Sequence, residues 1–269
     1  MVLIPANGLN FEVEKRGTGQ PLLVIGGTGW DLRHTPTPLD SVLTEHFEVA
    51  FYDQRGMGRS DKPPGPYSMA DYAFDAKCII NALGWSRAHI FGYSFGGMVA
   101  QELAIGWPDC VDKLILAATS PGGKDFASYP IENFMDLEPV EKARLGLEVS
   151  DTRFTKDFQK KYPERSKNAI KNRLTKQVKF MHEQHAKEGQ RAQLKARASH
   201  DACARLNQIT ASTLIIAGCF DGQAPQNGQV ELQNQISDAQ FNFVDGSHNF
   251  IFENDECYLS AIRFISQSK

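Results

Sequence analysis

Gly92-Tyr93-Ser94-Phe95-Gly96-Gly97 is the stretch on which the reading of this chain turns. Residues 89–93 before it form an apolar run of strand length. Residues 98–105 after it place apolar side chains at helical spacing, and Gly106 and Pro108 end the run. A G-x-S-x-G pentapeptide between strand and helix predicts a very sharp turn. The serine there takes a strained backbone, and glycines on either side remove Cβ atoms that would clash. Ser94 Oγ is then thrust above the C-terminal edge of the sheet. The N-terminus of the helix points free N–H groups at the same place, that of Phe95 among them.

A serine hydroxyl is a poor nucleophile without a base, and the base is usually a histidine oriented by a carboxylate. Where such a turn carries the serine, the chain order is serine, acid, histidine. Only His182, His185, His200 and His248 follow Ser94. His248 stands in Val244-Asp245-Gly246-Ser247-His248-Asn249-Phe250, directly after a strand, and is the expected base. The other three lie in a segment without strand signals. The expected acid is Asp221, just past a strand over 213–217. Asp125 is second, and Asp238 and Asp245 are weaker rivals. The loop Gly26-Gly27-Thr28-Gly29-Trp30 follows an early apolar strand, and Thr28 N–H is the expected second donor to an oxyanion. It is no phosphate cradle, because no Lys-Ser/Thr pair follows. Gly56-Met57-Gly58 is no dinucleotide fingerprint, because Asp61 occupies the third glycine position.

Further out, strands are expected over 3–6, 9–16, 22–25, 47–52, 114–118 and 241–244, with Asn7-Gly8 as a type I′ hairpin turn. Helices are expected over 70–83, 230–236 and 255–265. This β–α alternation implies a parallel sheet covered on both faces. The series is interrupted from about 121 to 207 by a Lys-, Gln-, Glu- and Ala-rich stretch that reads as inserted helices. Residues 124–197 carry a balance of +6, and the remainder −9. The domain reading is a core over 1–120 and 208–269 with a helical cap over 121–207.

The chain has 269 residues, is 41% hydrophobic and 23% charged, and carries a net charge of −3. A sizeable core is expected, and neither disorder nor nucleic acid as the main partner. Nothing approaches the ~20 apolar residues of a membrane span. The N-terminal stretch lacks the pattern of a signal peptide, so a cytoplasmic protein is expected. Five cysteines without a CxxC pair predict neither a disulfide framework nor a structural zinc, and the thiols read as mostly buried.

These motifs resemble the α/β-hydrolase superfamily, in its serine-nucleophile esterase- and lactonase-like branch. The likeness runs over about 10–121 and 213–264. It includes Tyr52-Asp53-Gln54-Arg55-Gly56-Met57-Gly58-Arg59-Ser60, similar to the family's D-x-R-G-x-G-x-S loop, and the helix from Gly97 to Ala104. The family commonly has His-Gly where this chain has Gly26-Gly27. The resemblance implies a mostly parallel eight-stranded sheet flanked by helices, with an inserted helical cap. Ser94 argues against the branches with an aspartate nucleophile.

The expected activity is hydrolysis of a small carboxylic ester or lactone through an acyl-enzyme, with no metal or organic cofactor and a small acyl compound as partner. Thioester or C–C bond cleavage, a lyase or perhydrolase, and a receptor with a slow triad are the alternatives. Trp30, Tyr93, Met98 and Phe250 are the expected pocket walls. Arg153, Lys156, Lys160, Lys161, Arg173 and Lys179 could draw in a carboxylate, although a solvated helical face is the plainer reading. The sequence sets no oligomeric state.

Overall fold

A computed structural model of the chain describes residues 1–178 and 185–267. It opens with the hairpin β1 (Val2–Ala6) and β2 (Leu9–Arg16). Asn7 and Gly8 both take positive φ, 48° and 70°, and Ala6 pairs with Leu9 across the two-residue turn. There follow β3 (Gln20–Ile25), β4 (Phe47–Tyr52), α1 (Met69–Ala82), β5 (Ala88–Tyr93), α2 (Phe95–Gly106) and β6 (Val111–Ala117). Between β6 and β7 the chain runs through α3 (Gly123–Phe126), α4 (Pro139–Ser150), α5 (Lys156–Lys161), α6 (Pro163–Val178) and α7 (Ala186–Ala198). It then completes the series with β7 (Ser212–Gly218), α8 (Gln226–Gln235), β8 (Ala239–Val244) and α9 (Glu256–Ser266).

The eight strands form one sheet in the order β1-β2-β4-β3-β5-β6-β7-β8. The pairs from β4–β3 to β7–β8 are parallel, whereas β1–β2 and β2–β4 are antiparallel, so among the described strands β2 alone runs against the rest. The α/β-hydrolase architecture expected from the motifs is therefore present. Alternation splits each buried strand between two cores. Leu23, Ile25, Ile90 and Leu116 pack toward α1 and α2, whereas Leu22, Val24, Phe91 and Ile115 pack toward α9.

Register brings the functional loops together. Ile25 pairs with Gly92, Tyr93 with Ala117, Ala117 with Ile216, and Gly218 with Val244. The carboxyl ends of β3, β5, β7 and β8 thus lie along one edge. The loops bearing Thr28, Ser94, Asp221 and His248 all leave from it. No described helix is long and apolar enough to cross a membrane. All five cysteines are free. Cys110 and Cys257 are buried, Cys78 and Cys203 half-buried, and Cys219 is exposed, so full burial holds for only two.

Candidate active site

Ser94 joins β5 to α2 with φ 54° and ψ −115°, a conformation that side-chain-bearing residues rarely adopt. The turn is possible because its neighbours are bare. A Cβ on Gly96 would collide with the Ile25 carbonyl, and one on Gly92 would stand 2.7 Å from the Ala100 side chain. Further along, the Thr119 hydroxyl donates to the Ser94 carbonyl at 2.8 Å. Phe95 opens α2, so its N–H has no acceptor one turn back within the helix.

His248 Nε2 lies 3.0 Å from Ser94 Oγ, and His248 Nδ1 lies 2.8 Å from Asp221 Oδ2. The other carboxylate oxygen of Asp221 accepts the backbone N–H groups of Gln223 and Ala224, each at 2.8 Å. These bonds fix the carboxylate. An imidazole with its proton on Nδ1 donates to Asp221 and leaves a lone pair on Nε2 facing the serine. The rival carboxylates are elsewhere. Asp125 is exposed on α3, Asp238 accepts from the Ser212 hydroxyl, and Asp245 is exposed near Arg153. Among the other histidines, His185 is exposed beside Glu188 and His200 is buried beside Glu102, while His182 lies outside the described residues.

The loop after β3 runs against this serine. A Cβ on Gly27 would stand 3.4 Å from Ser94 Cβ and 3.0 Å from the Tyr93 ring. The loop after β4 pins it at both ends. Gln54 donates to the Gly26 carbonyl at 2.9 Å, and Asp53 accepts the Leu32 N–H at 2.7 Å and the Arg59 N–H at 2.8 Å. Burial pushes the Asp53 carboxyl up to about 6 despite these two bonds. The Asp53–Ser60 motif therefore serves the site by holding the Thr28 loop in place. The N–H beside Thr28, that of Gly29, donates at 2.8 Å to Gln193 on α7.

The full-length pattern of strands and motifs has a family counterpart. A model of the alpha/beta hydrolase fold matches residues 21–255. The chain belongs to the alpha/beta hydrolase fold family. A curated relative of this hydrolase is the poly(3-hydroxyalkanoate) depolymerase of Ectopseudomonas oleovorans, 26% identical over 253 residues, which cover 93% of this chain and 85% of the relative. Solved structures with the same fold include the enol-lactonase of Burkholderia xenovorans LB400. Its TM-score is 0.77 at 24% identity, covering 97% of this chain and 98% of that one. Another is the meta-cleavage product hydrolase of Pseudomonas fluorescens IP01, with a TM-score of 0.77 at 22% identity, covering 98% of this chain and 97% of that one.

Over Ser94 and His248 the hydrolase has a cavity of about 1320 Å³, walled by the loop after β3 on one side and by α4, α6 and α7 on the other. Of the expected walls, Trp30 and Tyr93 line it. Met98 and Phe250 do not. Met98 points into the core with α1, and Phe250 packs beneath the histidine loop in the core with α9. Phe252 takes the wall position instead, its ring 4.9 Å from that of Trp30. Sequence reasoning also missed Gln223. It is buried, lines the cavity and brings its amide nitrogen 2.9 Å from His248 Nε2, where it shares the lone pair with Ser94. Position two after Asp221 was its only signal. Of the basic side chains between β6 and β7, Arg153 pairs with Asp151, and Lys156, Lys160 and Lys161 are exposed. Lys179 lies outside the described residues, and of these expected cations only Arg173 lines the cavity, where Lys142, Lys187 and Arg191 join it. Among the described residues no group of three His, Cys, Asp or Glu side chains is placed to hold a metal ion.

Proposed function

We propose that this alpha/beta hydrolase is a serine hydrolase that cleaves a small carboxylic ester or lactone through an acyl-enzyme. The observation that carries the reading is the hydrogen-bonded chain Ser94 Oγ–His248–Asp221, at 3.0 and 2.8 Å, opening into a cavity. Ser94 Oγ attacks the carbonyl carbon as His248 Nε2 takes its proton. Asp221 keeps the imidazole oriented and stabilises its cation. The N–H groups of Thr28 and Phe95 receive the oxyanion; a single such donor is worth on the order of 3–4 kcal/mol in the transition state. Collapse breaks the acyl C–O bond, and the leaving alkoxide takes the proton from His248. Water, deprotonated by His248, then attacks the acyl carbon and frees Ser94. In a lactone, the alcohol stays tethered to the acid. Support for an acyl-type substrate comes from the 26%-identical relative, a poly(3-hydroxyalkanoate) depolymerase. The meta-cleavage product hydrolase at 22% identity shares the fold alone.

The test is turnover of short-chain p-nitrophenyl esters and simple lactones, with intact mass after an organophosphonate probe. Turnover and a single adduct are expected, and both should vanish in Ser94→Ala. In parallel, Asp221→Asn should lower kcat/KM on the order of 10⁴-fold while Asp125→Asn leaves it unchanged. An adduct that survives in Ser94→Ala, or a larger loss in Asp125→Asn, would overturn the assignment.

A further inference from the structure

Two half-buried cations face the cavity without an ion-pair partner among the described residues. Lys142 stands on α4 and Arg173 on α6, and both line the cavity over Ser94. No carboxylate among the described residues stands within ion-pair distance of either. Lys142 Nζ makes a 3.6 Å contact with the Met135 sulfur. Arg173 Nη1 makes a long 3.4 Å bond to Ser150 Oγ, and its Nε is buried with no hydrogen-bond partner. The acids that line the same cavity are already engaged: Asp31 with Arg33 and His34, Asp136 with Arg191, and Glu253 with the Ser247 hydroxyl. Desolvation lowers the pKa of both cations; in Lys142 the charge of Arg191 lowers it further, Asp136 opposes this, and Lys187 and Arg173 add smaller effects in the lowering direction. A desolvated cation with an unmet N–H is costly to keep unless a ligand supplies the missing charge and acceptors.

The local build keeps this arrangement open. Lys142, Gly146 and Ser150 follow one another at four-residue steps along one face of α4. Arg173 lies flat over Gly146, where a Cβ would stand 2.6 Å from Nη2 and 2.8 Å from Nε. At the end of α4, the Ser150 carbonyl accepts the His248 N–H at 2.7 Å. The stripe therefore starts beside the histidine and leads away from it, with Lys142 about 12 Å from Ser150 along the helix axis.

We propose that Arg173 and Lys142 form a subsite for a free carboxylate on the substrate. The alpha/beta hydrolase then acts on half-esters or lactones whose acyl or alcohol part carries a second, ionised carboxyl group. Arg173 lines the cavity with a single long bond of its own among the described residues, and its guanidinium is the planar group that a carboxylate matches. Lys142 adds a point charge one turn further on. The substrate class rests on the serine-hydrolase reading, whereas the anion subsite does not.

Two measurements separate them. The first compares kcat/KM on mono-p-nitrophenyl glutarate and on p-nitrophenyl valerate, a neutral ester of similar length, for wild type, Arg173→Met and Lys142→Met. The wild type should prefer the anionic ester. Arg173→Met should reduce that preference by on the order of 100-fold and Lys142→Met by roughly 10-fold. The second needs no turnover: glutarate at millimolar concentration should raise the thermal midpoint of the wild type and of Ser94→Ala, and do so less in Lys142→Met. If Arg173→Met does not fold, Lys142→Met alone decides. Glutarate stabilisation without turnover of either ester upholds the subsite and overturns the esterase reading. Ester turnover with no charge preference and no glutarate stabilisation overturns the subsite. An equal loss on both esters would also overturn it, since that is what a purely structural role would give.

Discussion

Ser94 combines two demands on one residue. Its φ of 54° is what aims Oγ at His248 and the cavity, and the same torsion is unfavourable for any side chain with a Cβ. Such a position stores roughly 1–3 kcal/mol. Two variants separate the torsion from the hydroxyl. Ser94→Ala removes Oγ and keeps the strain; Ser94→Gly removes both. Because Ser94 precedes the first turn of α2, the glycine does not weaken a helix interior. Urea unfolding should find Ser94→Gly more stable than Ser94→Ala by about 1 kcal/mol. Equal stability, or a less stable glycine variant, would mean that the turn is unstrained.

At the scale of elements, α2 does more than carry the serine. Its Glu102 receives Arg205 through two bonds of 2.7 and 2.6 Å, from the 3-10 turn Cys203–Gln208 that leads into β7. Burial alone would raise the Glu102 carboxyl, but His200 and Arg205 outweigh it and hold it down at about 2. A carboxyl lowered on folding stabilises the fold above its unfolded value, near 4.5, and loses that contribution as pH falls toward 2. At neutral pH, this shift corresponds to on the order of 3 kcal/mol. Glu102→Gln should therefore lower stability most at pH 6–7. Its deficit against wild type should shrink below pH 4.5 and close near pH 2. Urea midpoints across that range read it directly, and a deficit independent of pH would contradict the ionised pair.

The elements that sequence reading located are those with apolar periodicity. Residues 47–52 and 89–93 are buried on both faces, and their strands appear where the apolar runs predict them. Elements with polar ends were cut short. α8 begins at Gln226, four residues before its expected start, because Gln226-Asn227-Gly228 carries no apolar rhythm. Gly228 is nevertheless buried, within van der Waals reach of Ser120 and Phe126. β8 begins at Ala239 rather than 241 because it is an edge strand with a polar start: Gln240 and Phe243, on opposite faces, are both exposed. The proposed nucleophile, base and acid were legible because a fixed local turn and chain order carry them. Gln223, Phe252 and Lys142 were not, since their place at the cavity depends on contacts between distant loops.

Over the whole molecule, the segment between β6 and β7 is bonded to every loop of the site rather than resting on it. Tyr129 donates to the Gln223 carbonyl at 2.8 Å, Thr152 to that of Phe220 at 3.0 Å, and His248 to that of Ser150 at 2.7 Å. The fourth tie is a side chain. Gln193 of α7, fully buried, accepts the Gly29 N–H at 2.8 Å across 164 residues of sequence. That bond fixes the orientation of the peptide unit next to Thr28, whose N–H is the proposed oxyanion donor. Gln193 touches no reacting atom, so it is a positioning residue. Gln193→Leu keeps similar bulk and leaves the Gly29 N–H buried without an acceptor, at a cost of about 1–3 kcal/mol. The Thr28 loop then turns to recover a partner, and the oxyanion loses alignment while ester binding persists. The expected signature is a fall in kcat of roughly 10-fold or more with little change in KM, since the lost interaction forms only in the transition state. Gln193→Glu supplies the control, because its carboxylate accepts the same N–H and should restore much of kcat. If Gln193→Leu raised KM and left kcat intact, the tie would serve substrate binding, and Thr28 would have no claim to the oxyanion through this loop.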